Sequence, residues 1–263
     1  MRYITPRNRA ILSEMVRTDF KVRYQNSVLG YMWSLLKPLF LFAILYVVFT
    51  YIIPLGKGVD HYPPYLLLGI VIWNFFVEST MIGASSIVAR GELIRKIRIP
   101  RYLVVLSSSF SALINLVLSL IVVFIFAIFN GVMPTFSWLL IIPLIIELFV
   151  LAQGVSFLLA ALYVKFRDIT YIWEIVLQAG FYATPIIYPL MKVSAKYQKY
   201  FFINPMAQII QDARYVVVTN TSTTIWSKVH SPAVLIPFII IVVIALIGGL
   251  YFKRRSKYFA EDI

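Results

Sequence analysis

The sequence predicts an all-α membrane protein with six transmembrane helices and both chain ends in the cytoplasm. Sixty-one per cent of its 263 residues are apolar and only 13% are charged, roughly half the charged share of a soluble domain. Six apolar segments approach or exceed the roughly 20 residues that a helix needs to cross the hydrocarbon core. The basic residues are distributed unevenly among the segments between them.

The six predicted spans divide the chain into a cytoplasmic segment at 1–34 and a membrane domain at 35–263. Pro185 and Pro189 in the fifth span remove backbone donors and interrupt helices. Freed backbone groups inside a membrane must face protein or water, so we expect the fifth span to end early and to border a cavity. The spans lie at 35–54, 65–89, 102–132, 138–164, 169–190 and 232–252.

The orientation follows from the lysines and arginines. Eighteen of the 24 lie in the segments on one side of the membrane and six in those on the other. Because cytoplasmic loops carry the excess of bases, the first set is cytoplasmic. The net charge of +13 would suggest nucleic acid in a soluble protein. Here topology and contact with anionic lipid headgroups explain it, and no nucleic-acid partner is expected.

Residues 6–30 precede the first span and have the spacing of an amphipathic interface helix. Asp19 and Arg23 interrupt its apolar face, four residues apart with the acid first, which is the favourable order for an ion pair. A paired charge there suits contact with protein or headgroups better than burial in acyl chains. A simple lipid anchor is the other interpretation. The apolar face comprises Ile11, Leu12, Met15, Val16 and Phe20.

The predicted cytoplasmic segment 90–101 reads R-G-E-L-I-R-K-I-R-I-P-R and predicts a short amphipathic helix that Pro100 ends. Such a helix between two spans either lies against lipid or docks into a groove of another protein, and we favour docking. Its apolar face comprises Leu93, Ile94 and Ile97, and its basic face Arg95, Lys96 and Arg98.

Residues 190–231, outside the membrane before the last span, also carry a helical pattern. Asn204 is a suitable N-cap, and Pro205 suits the first helical position. Apolar residues follow at helical spacing, from Met206 to Ala213. We expect short re-entrant helices that dip into the outer leaflet, with an ordinary surface loop as the alternative.

Aromatic residues form a stripe on the first span. Phe42, Tyr46 and Phe49 share one face and run deeper than an interfacial girdle should. Aromatic rings with polar handles suit the C–H faces and hydroxyl edges of sugars. Two interpretations of this stripe remain open: its residues line a passage, or they pack against lipid or other helices. Further candidates for the lining are Trp73, Phe76, Phe181 and Tyr182.

Several kinds of chemistry are missing from the sequence. It contains no G-x-x-x-x-G-K-[ST], so we expect no ATP to be held in a P-loop of this chain. There is no cysteine, and His61 and His230 are far apart, so we expect no metal or other cofactor. Three acids fall within predicted spans, and both interhelical hydrogen bonding and an ion path remain open for them. They are Glu78, Glu147 and Glu174.

Five segments together resemble the membrane permeases of type-2 ABC exporters for lipid-linked polysaccharides, as in O-antigen, teichoic acid and capsule export. The likeness runs in order over nearly the whole chain. The segments are D-F-K-V-R-Y-Q-N-S-V-L-G-Y-M-W-S-L-L-K-P at 19–38, G-E-L-I-R-K-I-R-I-P-R at 91–101, F-R-D-I at 166–169, L-Q-A-G-F-Y-A-T-P-I-I-Y-P at 177–189 and N-P-M-A-Q-I-I-Q-D-A-R at 204–214.

The resemblance implies a homodimer in the bacterial plasma membrane, bound to two copies of a separate ATPase that holds the ATP and magnesium. It implies an interface helix with Asp19 and Arg23, and a channel lined by the first, second and fifth spans. The cargo would be a glycan on an undecaprenyl-pyrophosphate carrier or a similar glycolipid, and no catalytic residue is implied. The coupling helix that docks on the ATPase would comprise Glu92, Leu93, Ile94, Arg95, Lys96, Ile97 and Arg98.

Two other functions remain as alternatives. One is a type-2 permease that exports a drug or a small glycolipid. The other is a membrane-bound acyl or glycosyl transferase, which would need clustered His, Asp or Glu at the membrane edge. Only Asp168 and Glu92 approach that arrangement, without a histidine nearby.

Overall fold

The computed structural model describes residues 5–24, 32–53, 55–97, 99–229 and 231–259, without the side chains of residues 20, 22–24 and 34. These residues form eleven α-helices and no strand. The helices are α1 (Pro6–Tyr24), α2 (Met32–Val47), α3 (Tyr62–Ala89), α4 (Gly91–Lys96), α5 (Arg101–Phe129), α6 (Ile141–Lys165), α7 (Ile169–Ala183), α8 (Ala195–Phe201), α9 (Pro205–Val217), α10 (Ile225–Lys228) and α11 (Ile236–Arg255).

Five helical segments of the described chain are long and apolar enough to cross a membrane. They match the first, second, third, fourth and sixth predicted spans and confirm an all-α membrane protein. Short π and 3₁₀ turns extend α2, α6 and α11 to this length. The five segments are Leu35–Ile52, Tyr62–Ala89, Arg101–Phe129, Phe136–Lys165 and Pro232–Arg255.

The fifth predicted span is shorter than the others. It corresponds to α7, whose 15 residues extend only about 22 Å. The helix ends at Ala183, two residues before Pro185, which confirms that this segment stops early. Six complete crossings remain a prediction.

The centre of the bundle is α3, most of whose residues are buried. It packs against α5, α6, α7 and α9. Small residues set the closest approaches, as is usual between helices in membranes. A Cβ atom on Gly83 would lie 2.7 Å from Cβ of Ser156 on α6, and one on Gly248 would lie 2.0 Å from the Gly154 carbonyl oxygen. The α3–α6 and α6–α11 contacts therefore depend on these glycines.

Two layers close the ends of the bundle. At the α4 end, a second apolar cluster joins Met15 of α1, Ile94 of α4 and Phe252 of α11. The α9 end carries the short helices α8, α9 and α10, with a small cluster around Leu190 and Phe202.

Short helices in residues 190–231 are therefore confirmed. Asn204 caps α9 by accepting a hydrogen bond from the Met206 amide at 3.0 Å, and Pro205 takes the first helical position. Ile209, Ile210 and Ala213 of α9 are almost completely buried. This segment is thus part of the protein interior, and its depth in the outer leaflet stays a prediction.

Candidate functional site

An ion pair fastens α1 to the junction between α3 and α4. The carboxylate of Asp19 on α1 accepts a hydrogen bond from the guanidinium of Arg90. Arg90 also donates to the Ser107 hydroxyl on α5 at 2.8 Å, and Ser107 lies 3.4 Å from the other Asp19 oxygen. Burial lowers the pKa of Arg90 from its usual value, but an arginine stays charged at physiological pH.

The triad of Asp19, Arg90 and Ser107 differs from the ion pair expected from the sequence. The sequence predicted a pair of Asp19 with Arg23, whereas the described partner of Asp19 is Arg90, 71 positions away. The side chain of Arg23 lies outside the described residues. Helical spacing alone indicated only Arg23, because periodicity finds neighbours within one helix and is silent about other elements.

The predicted coupling segment forms the six-residue helix α4. Its apolar face is directed partly into the chain itself, since Ile94 is only 8% exposed and Leu93 is half-buried. Ile97 follows the helix and is 50% exposed. Glu92 and Lys96 are exposed and form an i,i+4 pair at 3.5 Å.

Arg95 of α4 is exposed as well, and Arg98 lies outside the described residues. The surface that α4 offers to a partner is therefore mainly charged. Docking of these residues on an ATPase stays a prediction.

The candidate lining aromatics fall into two groups. Trp73 and Phe76 of α3 pack against Phe181 and Trp173 of α7, with ring centroids 6.1 and 6.2 Å apart. Trp73 and Phe76 are each 6% exposed. Gly180 permits this contact, because a Cβ there would lie 2.9 Å from the Trp73 ring. Within the single chain, these two α3 aromatics thus support α7 and do not face an open space.

The second group lies mainly on α2 and on the π-helical turn Val48–Ile52 that extends it. Phe42 stacks with Tyr46 at 5.7 Å and meets Phe126 of α5 edge-on at 5.5 Å. Phe49 is half-buried beside them, and Tyr182 on α7 is 64% exposed. Lining of a passage by these residues stays a prediction, but their partial exposure leaves surface for a further contact.

One face of α7 is uncovered in the single chain. It includes Tyr171 and Ile175, which are 69% and 67% exposed, and also the exposed Glu174 and Gln178. A carboxylate facing acyl chains is costly. This face therefore requires water or further protein opposite it.

The other two acids within predicted spans make interhelical hydrogen bonds. Asn115 on α5 donates to Glu78 on α3 at 2.7 Å. Gln208 on α9 lies 3.5 Å from Glu147 on α6 and donates to Asp212 at 2.8 Å. Burial raises the pKa of Asp212 to about 6. These bonds tie α3 to α5 and α6 to α9.

A buried arginine joins α9 to the end of α7. Arg214 is completely buried and donates to the carbonyl oxygens of Tyr65, Pro185 and Ile186 at 3.0, 2.5 and 2.6 Å. Its guanidinium carbon lies 3.6 Å from the Tyr65 ring centroid. Burial lowers the pKa of Arg214, and the nearby Tyr65 and Tyr62 oppose that shift.

Sequence reasoning missed Arg214, which it counted only among the six bases on the outer side of the membrane. The usable signal was the pair of prolines in the fifth span, because they predict unpaired carbonyl groups that need a donor. In the described ranges, no group of three His, Cys, Asp or Glu is arranged to hold a metal ion. His61 contacts the Asn130 carbonyl, and His230 lies outside those ranges.

A bundle of membrane-length helices, with a charged helix at one end and a partly polar helix face left open, fits a membrane transport protein. The chain belongs to the ABC-2 type transporter family, whose model matches residues 12–218.

The chain is also similar to named members of this group. It is 28% identical over 252 residues to an O-antigen export system permease protein RfbA of Klebsiella pneumoniae, covering 95% of this chain and 94% of that protein. It is 26% identical over 257 residues to the RfbA permease of Myxococcus xanthus, covering 97% and 96%. The polysialic acid transport protein KpsM of Escherichia coli is 22% identical over 209 residues, covering 76% of this chain and 78% of that protein.

We predict that Asp19 and Arg90 are energetically coupled. Removing either charge by Asp19→Asn or Arg90→Gln leaves the other half-buried charge without its partner, so each change lowers stability by roughly 1–3 kcal/mol. The double variant should lose clearly less than the two single losses combined. Thermal unfolding of the detergent-purified protein measures all four forms.

The exposed ion pair of Glu92 and Lys96 provides the matched control for this double-mutant cycle. The losses of stability caused by Glu92→Gln and Lys96→Gln should be additive, because solvent screens an exposed ion pair. Additive losses at Asp19 and Arg90 would show that the two side chains do not stabilise the protein together.

Proposed function

We propose that the chain is the transmembrane subunit of an ATP-driven exporter that moves a lipid-linked polysaccharide across the bacterial plasma membrane. The observation that carries this proposal is the end-to-end likeness to O-antigen export permeases, which covers 95% of the chain. A likeness of that extent includes α1, α4, α7 and α9 together. The proposed cargo is a glycan on undecaprenyl pyrophosphate, such as an O-antigen or a teichoic acid.

The energy would come from a separate ATPase. The sequence has no P-loop motif with which to cradle nucleotide phosphates. A partner would therefore bind the ATP and magnesium and would dock on the α4 end of the bundle. This end carries most of the basic residues, so we place it, with both chain termini, in the cytoplasm.

The docking surface would comprise α4 and the Asp19–Arg90 triad behind it. The exposed Glu92, Arg95 and Lys96 would make the polar contacts, and Ile97 would add an apolar one. Because Asp19 ties α1 to the base of α4, a push on α4 would also move α1. The ion pair and the buried Ile94 would thus transmit ATPase movement to α3 and α5.

Two copies of the chain would enclose the passage. The uncovered face of α7, with Glu174 and Gln178, supports this arrangement because it needs polar surroundings. The aromatic side chains of α2 and Tyr182 of α7 would line the passage and contact sugar rings. In this arrangement Trp73 and Phe76 pack against the side of α7 that faces away from the passage.

We predict that reversing the α4 charges uncouples the chain from its ATPase. Because Arg95 and Lys96 are exposed, Arg95→Glu with Lys96→Glu should leave folding intact while turning attraction into repulsion. Co-purification of the ATPase with the tagged chain from its native host should fall by about tenfold. Lys192→Glu at the α9 end is the control and should change nothing. Equal recovery of the ATPase with both variants would remove α4 from the docking surface.

We predict that the α2 stripe contacts the cargo. Tyr46→Ala with Phe49→Ala should reduce surface glycan by on the order of tenfold, since each lost ring removes about 1 kcal/mol of aromatic contact. Surface polysaccharide is measured in a host that depends on this chain for export.

Phe40→Ala serves as the control, because Phe40 lies on the opposite face of α2 and is 58% exposed. It should leave export unchanged. Normal export by the double variant would exclude the stripe from the passage. Normal surface glycan in a host lacking the chain would instead point to a drug or a small glycolipid as the cargo.

A further inference from the structure

A cavity of about 640 Å³ opens where α4, the start of α5, α6 and the end of α11 meet. We call it the α4–α11 cavity, and we propose that it is a binding site for an anionic phospholipid. Its walls are mainly apolar, and two bases stand among its lining residues. The lining residues used below are Ile94, Tyr102, Phe157, Gly249, Arg101 and Lys253.

The depth of the two bases matches the layout of a phospholipid. Arg101 begins the span of α5 and Lys253 lies in the last turn of the span of α11, so both lie at the membrane surface. Gly249 precedes Lys253 by four residues, which places it about 6 Å deeper along the helix. The bases therefore lie at headgroup depth, and Gly249 lies at acyl-chain depth.

The charge of the site favours an anion. Among the described residues, no carboxylate lies within ion-pair distance of Arg101 or Lys253. Arg101 donates to the Ser256 carbonyl oxygen, which holds its guanidinium beside the end of α11. Arg254 and Arg255 follow Lys253 directly. Basic pockets between membrane helices are typical binding sites for anionic headgroups.

The space inside the cavity is open at Gly249. A Cβ atom built on this residue meets nothing within 4 Å, whereas one on the adjacent Gly248 would collide with Gly154. Position 249, which lines the cavity, therefore has open space beside its backbone. Gly249 leaves room for an acyl chain, whose contacts with Tyr102 and Phe157 would fill the apolar part.

The lipid would also support the coupling helix. Ile94 lines the same cavity, so a lipid bound there would lie directly beside α4. The site is independent of the cargo and uses only the proposal that the α4 end faces the leaflet rich in anionic lipid.

Native mass spectrometry of the full chain, released from detergent micelles, tests the site. The probes are phosphatidylglycerol and phosphatidylcholine with identical acyl chains. The wild-type chain should bind one phosphatidylglycerol at least about fivefold more tightly than phosphatidylcholine, because phosphatidylglycerol carries a net negative charge whereas phosphatidylcholine is zwitterionic. Equal affinity for the two lipids would overturn the proposal.

Two variants locate the binding within the cavity. Lys253→Gln should remove most of the preference for phosphatidylglycerol, whereas Lys257→Gln, outside the cavity lining, should keep it. Gly249→Leu should abolish the bound lipid while Gly249→Ala retains it. If Gly249→Leu does not fold, the lysine pair still decides. An equal effect of the two lysine changes, or retention of the lipid in folded Gly249→Leu, would contradict the proposed site.

Discussion

One buried guanidinium determines how the interrupted end of α7 is held in the bundle. The helix ends at Ala183, so the carbonyl groups of residues 185 and 186 lie beyond it and have no helical partners. Arg214 reaches both from α9 and adds the Tyr65 carbonyl of α3. A buried charge is costly unless hydrogen bonds surround it, and here three carbonyls and an aromatic ring do so. The contact has no room for a side chain at position 69, because a Cβ on Gly69 would lie 2.5 Å from Arg214.

The rest of the proposed passage follows from this constraint. Since Arg214 fixes the end of α7 and the aromatic pair Trp73 and Phe76 fixes its middle, α7 keeps one side against α3. The other side, with Glu174 and Tyr182, stays uncovered. At the opposite end of the bundle, Asp19 and Arg90 hold α1 and α4 together in the same way. Two polar contacts thus set the geometry of both the proposed passage and the proposed coupling surface.

Much of the fold could be predicted from the sequence. Length and hydropathy located five membrane-length helices, and two prolines indicated that α7 ends early. The cap at Asn204 predicted the start of α9. These features are local, so a few neighbouring residues determine them.

The contacts of the candidate site were not accessible in this way. Lipid and protein interiors are equally apolar, so an apolar face on α3 or α4 does not show which of them it meets. Trp73, Phe76 and Ile94 were therefore assigned to surfaces, whereas the single chain buries them. The partners of Asp19 and Arg214 are far away in sequence and depend on the assembled fold.

The central claim is that the uncovered face of α7 borders water between two copies of the chain. Because the sequence contains no cysteine, a single introduced cysteine is labelled without a background reaction from native cysteines. Only a hydrated thiolate reacts readily with the label. The most direct measurement compares the reaction of Glu174→Cys and Ile239→Cys with a charged, water-soluble maleimide in intact membranes. Ile239 lies on α11 and is 56% exposed, so it serves as a lipid-facing reference. We expect fast labelling at 174 and almost none at 239. Equally slow labelling at both positions would contradict the account.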